Sequence, residues 1–208
     1  MAAAERKRPF YVVLALLGAL ALGTTAARSG WATVAMYREP LDASVAGRGV
    51  SDEADRAALV ARFDAYVHTV DAARSRGWPL GVGTLVLGSA ILLFSMRALG
   101  GSKGARSALV QLVVAHAALS AASYWLLGDV LEAELRWHEA TQAAEIHENF
   151  PQQEHADEVL RMSGRVLRVV PRVELALGAL SSALVVLALT RRRAREFFDA
   201  APEALGER

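Results

Sequence analysis

Four apolar stretches, residues 10–27, 79–96, 108–128 and 173–190, govern what this chain can become. An α-helix needs roughly 20 largely uncharged residues to cross a hydrocarbon core about 30 Å thick. Each stretch approaches that length, and only His116 and Glu174 bring basic or acidic groups into them. A soluble core helix would carry a polar face at period 3.6, and these stretches lack one. The expected fold is therefore all-α: a polytopic membrane protein of four transmembrane helices. They form two like-oriented hairpins with helical extracytoplasmic extensions. Residues 1–208 make one membrane domain, with exported connections 28–78 and 129–172, a cytoplasmic loop 97–107 and a cytoplasmic tail 191–208.

Composition narrows the chemistry. With four spans in 208 residues, no segment is left for a separate soluble domain of about 100 residues or more. A net charge of +1 with dispersed basic residues gives no reason to expect a nucleic-acid partner. Cysteine is absent, which removes disulfides, thiol catalysis and thiolate metal ligation. Arg outnumbers Lys heavily, and Ala and Leu dominate elsewhere. That bias fits a GC-rich bacterial genome, and with the four spans it makes a bacterial cell (inner) membrane the expected location.

Span one has two readings. Arg6, Lys7 and Arg8 precede the apolar run, and Gly23-Thr24-Thr25-Ala26-Ala27 follows it, the layout of a cleavable secretory signal. The run is also nearly a full span, which favours an uncleaved signal-anchor helix. Both put the N-terminus on the cytoplasmic side. Lys and Arg near span ends set orientation. Arg97, Lys103 and Arg106 mark the middle loop, and Arg191, Arg192, Arg193 and Arg195 mark the tail, as cytoplasmic. Arg74, Arg76, Arg168 and Arg172 in the long connections are a contrary signal.

Both connections read as helical. Ser51 is a candidate N-cap, with Asp52 and Glu53 in the first turn. Leu59, Phe63, Tyr66, Val70 and Ala73 then recur at four- and three-residue steps, the seam of a helix that packs on another. Gly77-Trp78-Pro79 is expected to break or kink it at the membrane surface. In the second connection, residues 129–148 extend span three outward and 154–170 return, with Val159, Met162, Val166 and Val169 or Val170 inward. Pro171 then stands before span four as Pro79 opens span two. Trp31, Trp78 and Trp125 suit the headgroup region, as do Arg172 and Glu174 at the start of span four. Small residues supply close packing within the membrane: Ala15, Ala19 and Gly23; Gly81, Thr84, Gly88 and Ser95; Gly178 with Ser182.

Two clusters are candidates for chemistry. His116 lies near the centre of span three, where an ionisable group is costly. At about 100° per residue, Ser120 and Ser123 share its face and Tyr124 lies close by. Such a polar stripe lines a proton or solute path, or grips a neighbouring helix. The second connection concentrates His138, Glu145, His147, His155 and Glu158, ligand types that suit a divalent metal. A solvated acidic hairpin explains the same residues. The HExxH spacing is missing, since Gln142 stands where the second His belongs. No nucleotide-cradling loop and no nucleophile elbow occur.

No catalytic constellation is visible, and most non-membrane residues fall in exported amphipathic helices. The sequence thus points to a non-enzymatic integral membrane protein without a required cofactor. Its role would be that of a scaffold, sensor or accessory subunit contacting an envelope partner, or another copy of itself, from the lipid bilayer. The alternative is a small transporter or channel subunit moving a proton, cation or divalent metal past His116.

Overall fold

Long Ala-, Leu- and Val-rich runs with few interior breakers favour helix throughout, and the chain adopts it. A computed structural model describes residues 9–39, 41, 46–149 and 156–200, without the side chains of 147–149, 156–161, 163 and 200. Six helices lie in this part: α1 (Phe10–Arg38), α2 (Glu53–Leu99), α3 (Lys103–Leu126), α4 (Gly128–Asn149), α5 (Ala156–Thr190) and α6 (Arg192–Ala200). Helices α1, α2, α3 and the Gly164–Thr190 part of α5 are long and apolar enough to cross a membrane.

The start of α2 and its passage through Pro79 refine the expectation. Asp52, not Ser51, caps α2: its carboxylate accepts the Ala54 and Asp55 N–H groups at 2.8 and 3.0 Å. A carboxylate is favoured over a hydroxyl at the positive end of a helix. Helix α2 runs without a break through Gly77-Trp78-Pro79, and α5 likewise contains Pro171. A proline removes one backbone donor, and long flanking helix on both sides holds the rest of the ladder together. Between α2 and α3 the turn is tight. Gly101 has φ +91°, and Ser102 N–H reaches back to Arg97 O at 3.4 Å. Ser102 Oγ then accepts the Ala105 N–H at 3.3 Å and starts α3.

The chain divides into two compact units. Unit one takes in the chain up to Ala32, Leu80–Ala122 and the chain from Ala176 onward. Its core joins Val12, Leu16 and Ala19 of α1 with Ile91 of α2, Leu109 and Val113 of α3, Val185 and Leu189 of α5, and Phe198 of α6. Helices α1 and α2 meet backbone to backbone. A side chain on Gly30 would collide with the Leu85 backbone, and one on Gly88 with Ala27. At Gly23 a methyl would stand 2.9 Å from Leu92 Cγ. Arginines finish α5: Arg106 donates to Leu189 O at 3.1 Å and Arg195 to Thr190 O at 2.8 Å. These bonds satisfy carbonyls that a helix end leaves open. Lys103 pairs with Asp199 at 2.9 Å, fastening α6 to the start of α3.

Unit two consists of Thr33–Pro79 and Ser123–Leu175. It buries Leu59, Phe63, Tyr66, Val70 and Ala73, the whole seam of α2. Trp137 of α4 fills the other side, edge-on to Phe63 at 5.1 Å and stacked on Tyr66 at 5.8 Å. Tyr37 lies over Gly77, where any side chain would occupy the space of its ring. The α5 residues reverse their expected facing. Met162, Val166, Val169 and Val170 are 56%, 62%, 49% and 41% exposed rather than inward, and the Val159 side chain lies outside those described. The opposite face of α5 approaches α4 instead. There a methyl on Gly164 would stand 3.3 Å from Glu139 Oε1, and Arg168 grips the same carboxylate. A glycine and an ion pair, rather than the valines, thus set the rotation of α5.

The glycine contacts predict a sharp contrast. Gly30→Ala destabilises the fold by about 1–3 kcal/mol through overpacking. Gly178→Ala, where nothing lies within 4 Å, stays within about 0.5 kcal/mol of wild type. Denaturation midpoints in detergent measure both.

Candidate functional site

A grouping of charged side chains in unit two lies between α4 and α5. One face of α4 presents Leu131, Glu132, Leu135, Arg136 and Glu139, and the facing turn of α5 presents Arg168, Pro171 and Arg172. With Tyr124 of α3 they enclose a groove of about 370 Å³. A second hollow of about 520 Å³ shares Arg136, Glu139 and Arg168 and adds Arg62 of α2. Inside the groove, Arg168 holds Glu139 with Nε at 3.0 Å and Nη2 at 3.3 Å. Arg136 Nη2 donates to Glu132 at 2.5 Å. Arg62 and Arg172 are exposed and have no acidic partner among the described residues.

These residues belong together for a local reason. Glu132, Arg136 and Glu139 recur at four and three residues on α4, as Arg165, Arg168 and Arg172 do at three and four on α5. Each set therefore forms one stripe on its helix. Of the groove lining, sequence reasoning singles out Tyr124 and Arg172, and among its charged residues Arg172 alone. The paired stripes were the signal that could have found the rest.

The polar stripe of span three has a mixed local environment. Ser120 Oγ donates to the backbone carbonyl of His116 at 2.9 Å, a bond within the helix rather than to the imidazole. Ser123 Oγ is buried without a hydrogen-bond partner among the described residues. Tyr124 lines the groove and meets Trp125 edge-on at 6.3 Å. Of the expected metal ligands, His138 sits 3.8 Å from Glu134 one turn away. Glu145 lies two turns further along α4, about 10 Å by helical rise. The side chains of His147, His155 and Glu158 lie outside those described. Among the described residues no three His, Asp or Glu side chains come together as a metal site. Trp31, Trp78, Trp125, Arg172 and Glu174 are all exposed.

A second polar locus in unit two joins a half-exposed ion pair to two buried tyrosines. Arg76 of α2 pairs with Asp129 of α4, and the buried Tyr37 hydroxyl has no partner among the described residues. Burial raises the Tyr37 pKa; Arg76 opposes that shift, while Asp129 and Glu134 reinforce it. The Tyr66 hydroxyl donates to Met36 Sδ at 3.3 Å. Burial, reinforced by Glu134 and Tyr37, pushes its pKa up to about 12.

Comparison with protein-family models, curated proteins and solved structures gave no match to this chain.

The tyrosines predict an alkaline dependence of stability. An unfolded tyrosine loses its proton near pH 10, whereas folded Tyr66 keeps it to about 12. The folded state thus binds more protons between these values, and stability falls as pH rises through that window. Tyr66→Phe flattens this fall, leaving the part due to Tyr37; denaturation midpoints at pH 9 and 11.5 measure the difference.

Proposed function

We propose that the chain is a non-enzymatic, four-span protein of a bacterial cell membrane. In this reading its spans form two like-oriented hairpins, both termini and the 97–107 loop face the cytoplasm, and unit two is exported. Exposure of apolar surface supports the membrane reading. Only 33%, 22%, 11% and 17% of the four apolar windows is buried. Leu14, Leu17, Val86, Leu93, Val114, Leu177, Leu180, Leu184 and Leu187 all stand exposed. Water-soluble monomers rarely show contiguous apolar surface on that scale, and lipid is its natural solvent.

Its role, in this proposal, is that of a scaffold or accessory subunit that binds a partner through α5. The exposed stripe Met162, Val166, Val169 and Val170 carries the proposal. It belongs to the exported connection, bordered on one side by exposed Arg165 and Arg172. The occupant that fits is a helix of an envelope protein, apolar along one face and edged with acidic side chains. Burying four such side chains supplies several kcal/mol at about 25 cal/mol per Å².

Photo-crosslinking in native membranes tests this. A crosslinker at Val166 or Val170 is expected to capture one protein. Its crosslinked peptide, read by mass spectrometry, is an apolar helix flanked by Asp or Glu, and Val166→Asp abolishes its co-purification. Adducts to lipid alone, or to a second copy of the chain alone, would overturn the heterologous scaffold role.

A further inference from the structure

We propose that the groove between α4 and α5 of unit two is a binding site for a singly charged phosphate group. That group is either the phosphodiester of an anionic lipid headgroup or free phosphate in its dihydrogen form, held by Arg136, Arg168 and Arg172. The groove shares Arg172 with the border of the α5 stripe, but the inference rests on the groove lining and stands whether or not a partner binds the stripe.

Charge is the first argument. Three arginines line the groove against two glutamates, an excess of one positive charge, which a phosphodiester monoanion neutralises. Arg172 has no acidic partner among the described residues, and neither does Arg62 in the adjoining hollow. An arginine that lines a concave site without a counter-charge is the residue an incoming anion meets first.

Donor geometry is the second. A guanidinium offers five N–H donors in a rigid fork. Glu139 takes one N–H from Nε and one from Nη2 of Arg168, leaving the Nη1 donors and the second Nη2 N–H; Glu132 takes one N–H from Nη2 of Arg136, leaving Nε, Nη1 and the second Nη2 N–H. The two carboxylates therefore fix the forks in place rather than consume them. Ordering the donors beforehand removes part of the entropic cost of binding. Phosphate suits such forks because its oxygens accept paired, charge-assisted hydrogen bonds.

The third argument is the rest of the lining. Tyr124, Leu131, Leu135 and Pro171 give the groove an apolar side, which a bare ion does not use and the glycerol and acyl portion of a lipid does. In the four-span reading Tyr124 and Arg172 stand at the outer ends of spans three and four, the level of lipid phosphates.

The test uses the full chain in maltoside micelles, with thermal unfolding followed by tryptophan fluorescence. Phosphatidylglycerol added to the micelles is expected to raise Tm to a plateau, while phosphatidylcholine at the same mole fraction does not. Arg172→Gln, at an exposed residue without an ion pair, is expected to weaken the apparent affinity about fivefold, the contribution of one basic residue near a lipid surface. Arg172→Lys keeps part of the effect, and Arg74→Gln, on α2 outside the groove, changes nothing. Inorganic phosphate producing the same plateau, with sodium chloride of equal ionic strength inert, would assign the site to free phosphate and support the proposal. Equal responses to both lipids with no response to phosphate, or an Arg172→Gln variant that binds like wild type, would overturn it. Failure of the partner crosslink at Val166 leaves all of these readouts in place, so the two proposals fail separately.

Discussion

The close approach of α1 and α2 is the constraint on which unit one rests. Gly23 and Gly30 on one helix, and Gly88 on the other, each occupy positions where a side chain would meet backbone or a packed leucine. In a lipid environment apolar side chains gain little by leaving the solvent for one another. Helix association then depends on how many atoms come into contact, and glycines bring two backbones together over several turns. The core residues Val12, Leu16, Ala19 and Ile91 lie along the same pair of helices. Helices α3, α5 and α6 add to it through Leu109, Leu189 and Phe198.

Unit two is built on a different principle. Its center is aromatic: Phe63, Tyr66 and Trp137 in mutual contact, with Tyr37 seated on Gly77. Large rings bury much apolar area per residue, an economical way to hold a small helical unit together. Ion pairs between helices, Arg76 with Asp129 and Arg168 with Glu139, set register around that center. Because both pairs keep at least one partner well exposed to solvent, they contribute modest stability and mainly select orientation. The same arrangement leaves a valine stripe and an arginine-lined groove facing outward, the two surfaces on which the functional proposals rest.

Much of this was legible because helical period is strict. The α2 seam from Leu59 to Ala73 could be read residue by residue, since its hydrophobic spacing has only one solution. Small-residue spacing marked Gly23 and Gly88 before any contact was known. Gly30 escaped notice because it falls just past the apolar run, although α1 continues to Arg38. The α5 face was read inside out. Hydrophobic spacing gives a stripe but not the direction in which it points, and Gly164 with the Arg168–Glu139 pair decided that direction. The groove was hidden for a related reason: each helix shows an ordinary charged stripe, and only the pairing of α4 with α5 brings the arginines together.

Membrane topology is the central claim, and the absence of cysteine makes it directly measurable. Single-cysteine variants His68→Cys, Glu145→Cys, Gly104→Cys and Arg193→Cys are exposed to a membrane-impermeant maleimide in intact cells and again after permeabilisation. The account predicts that positions 68 and 145 label in intact cells, while 104 and 193 label only once the membrane is opened. Labelling of all four in intact cells, or the reverse pattern, would contradict it.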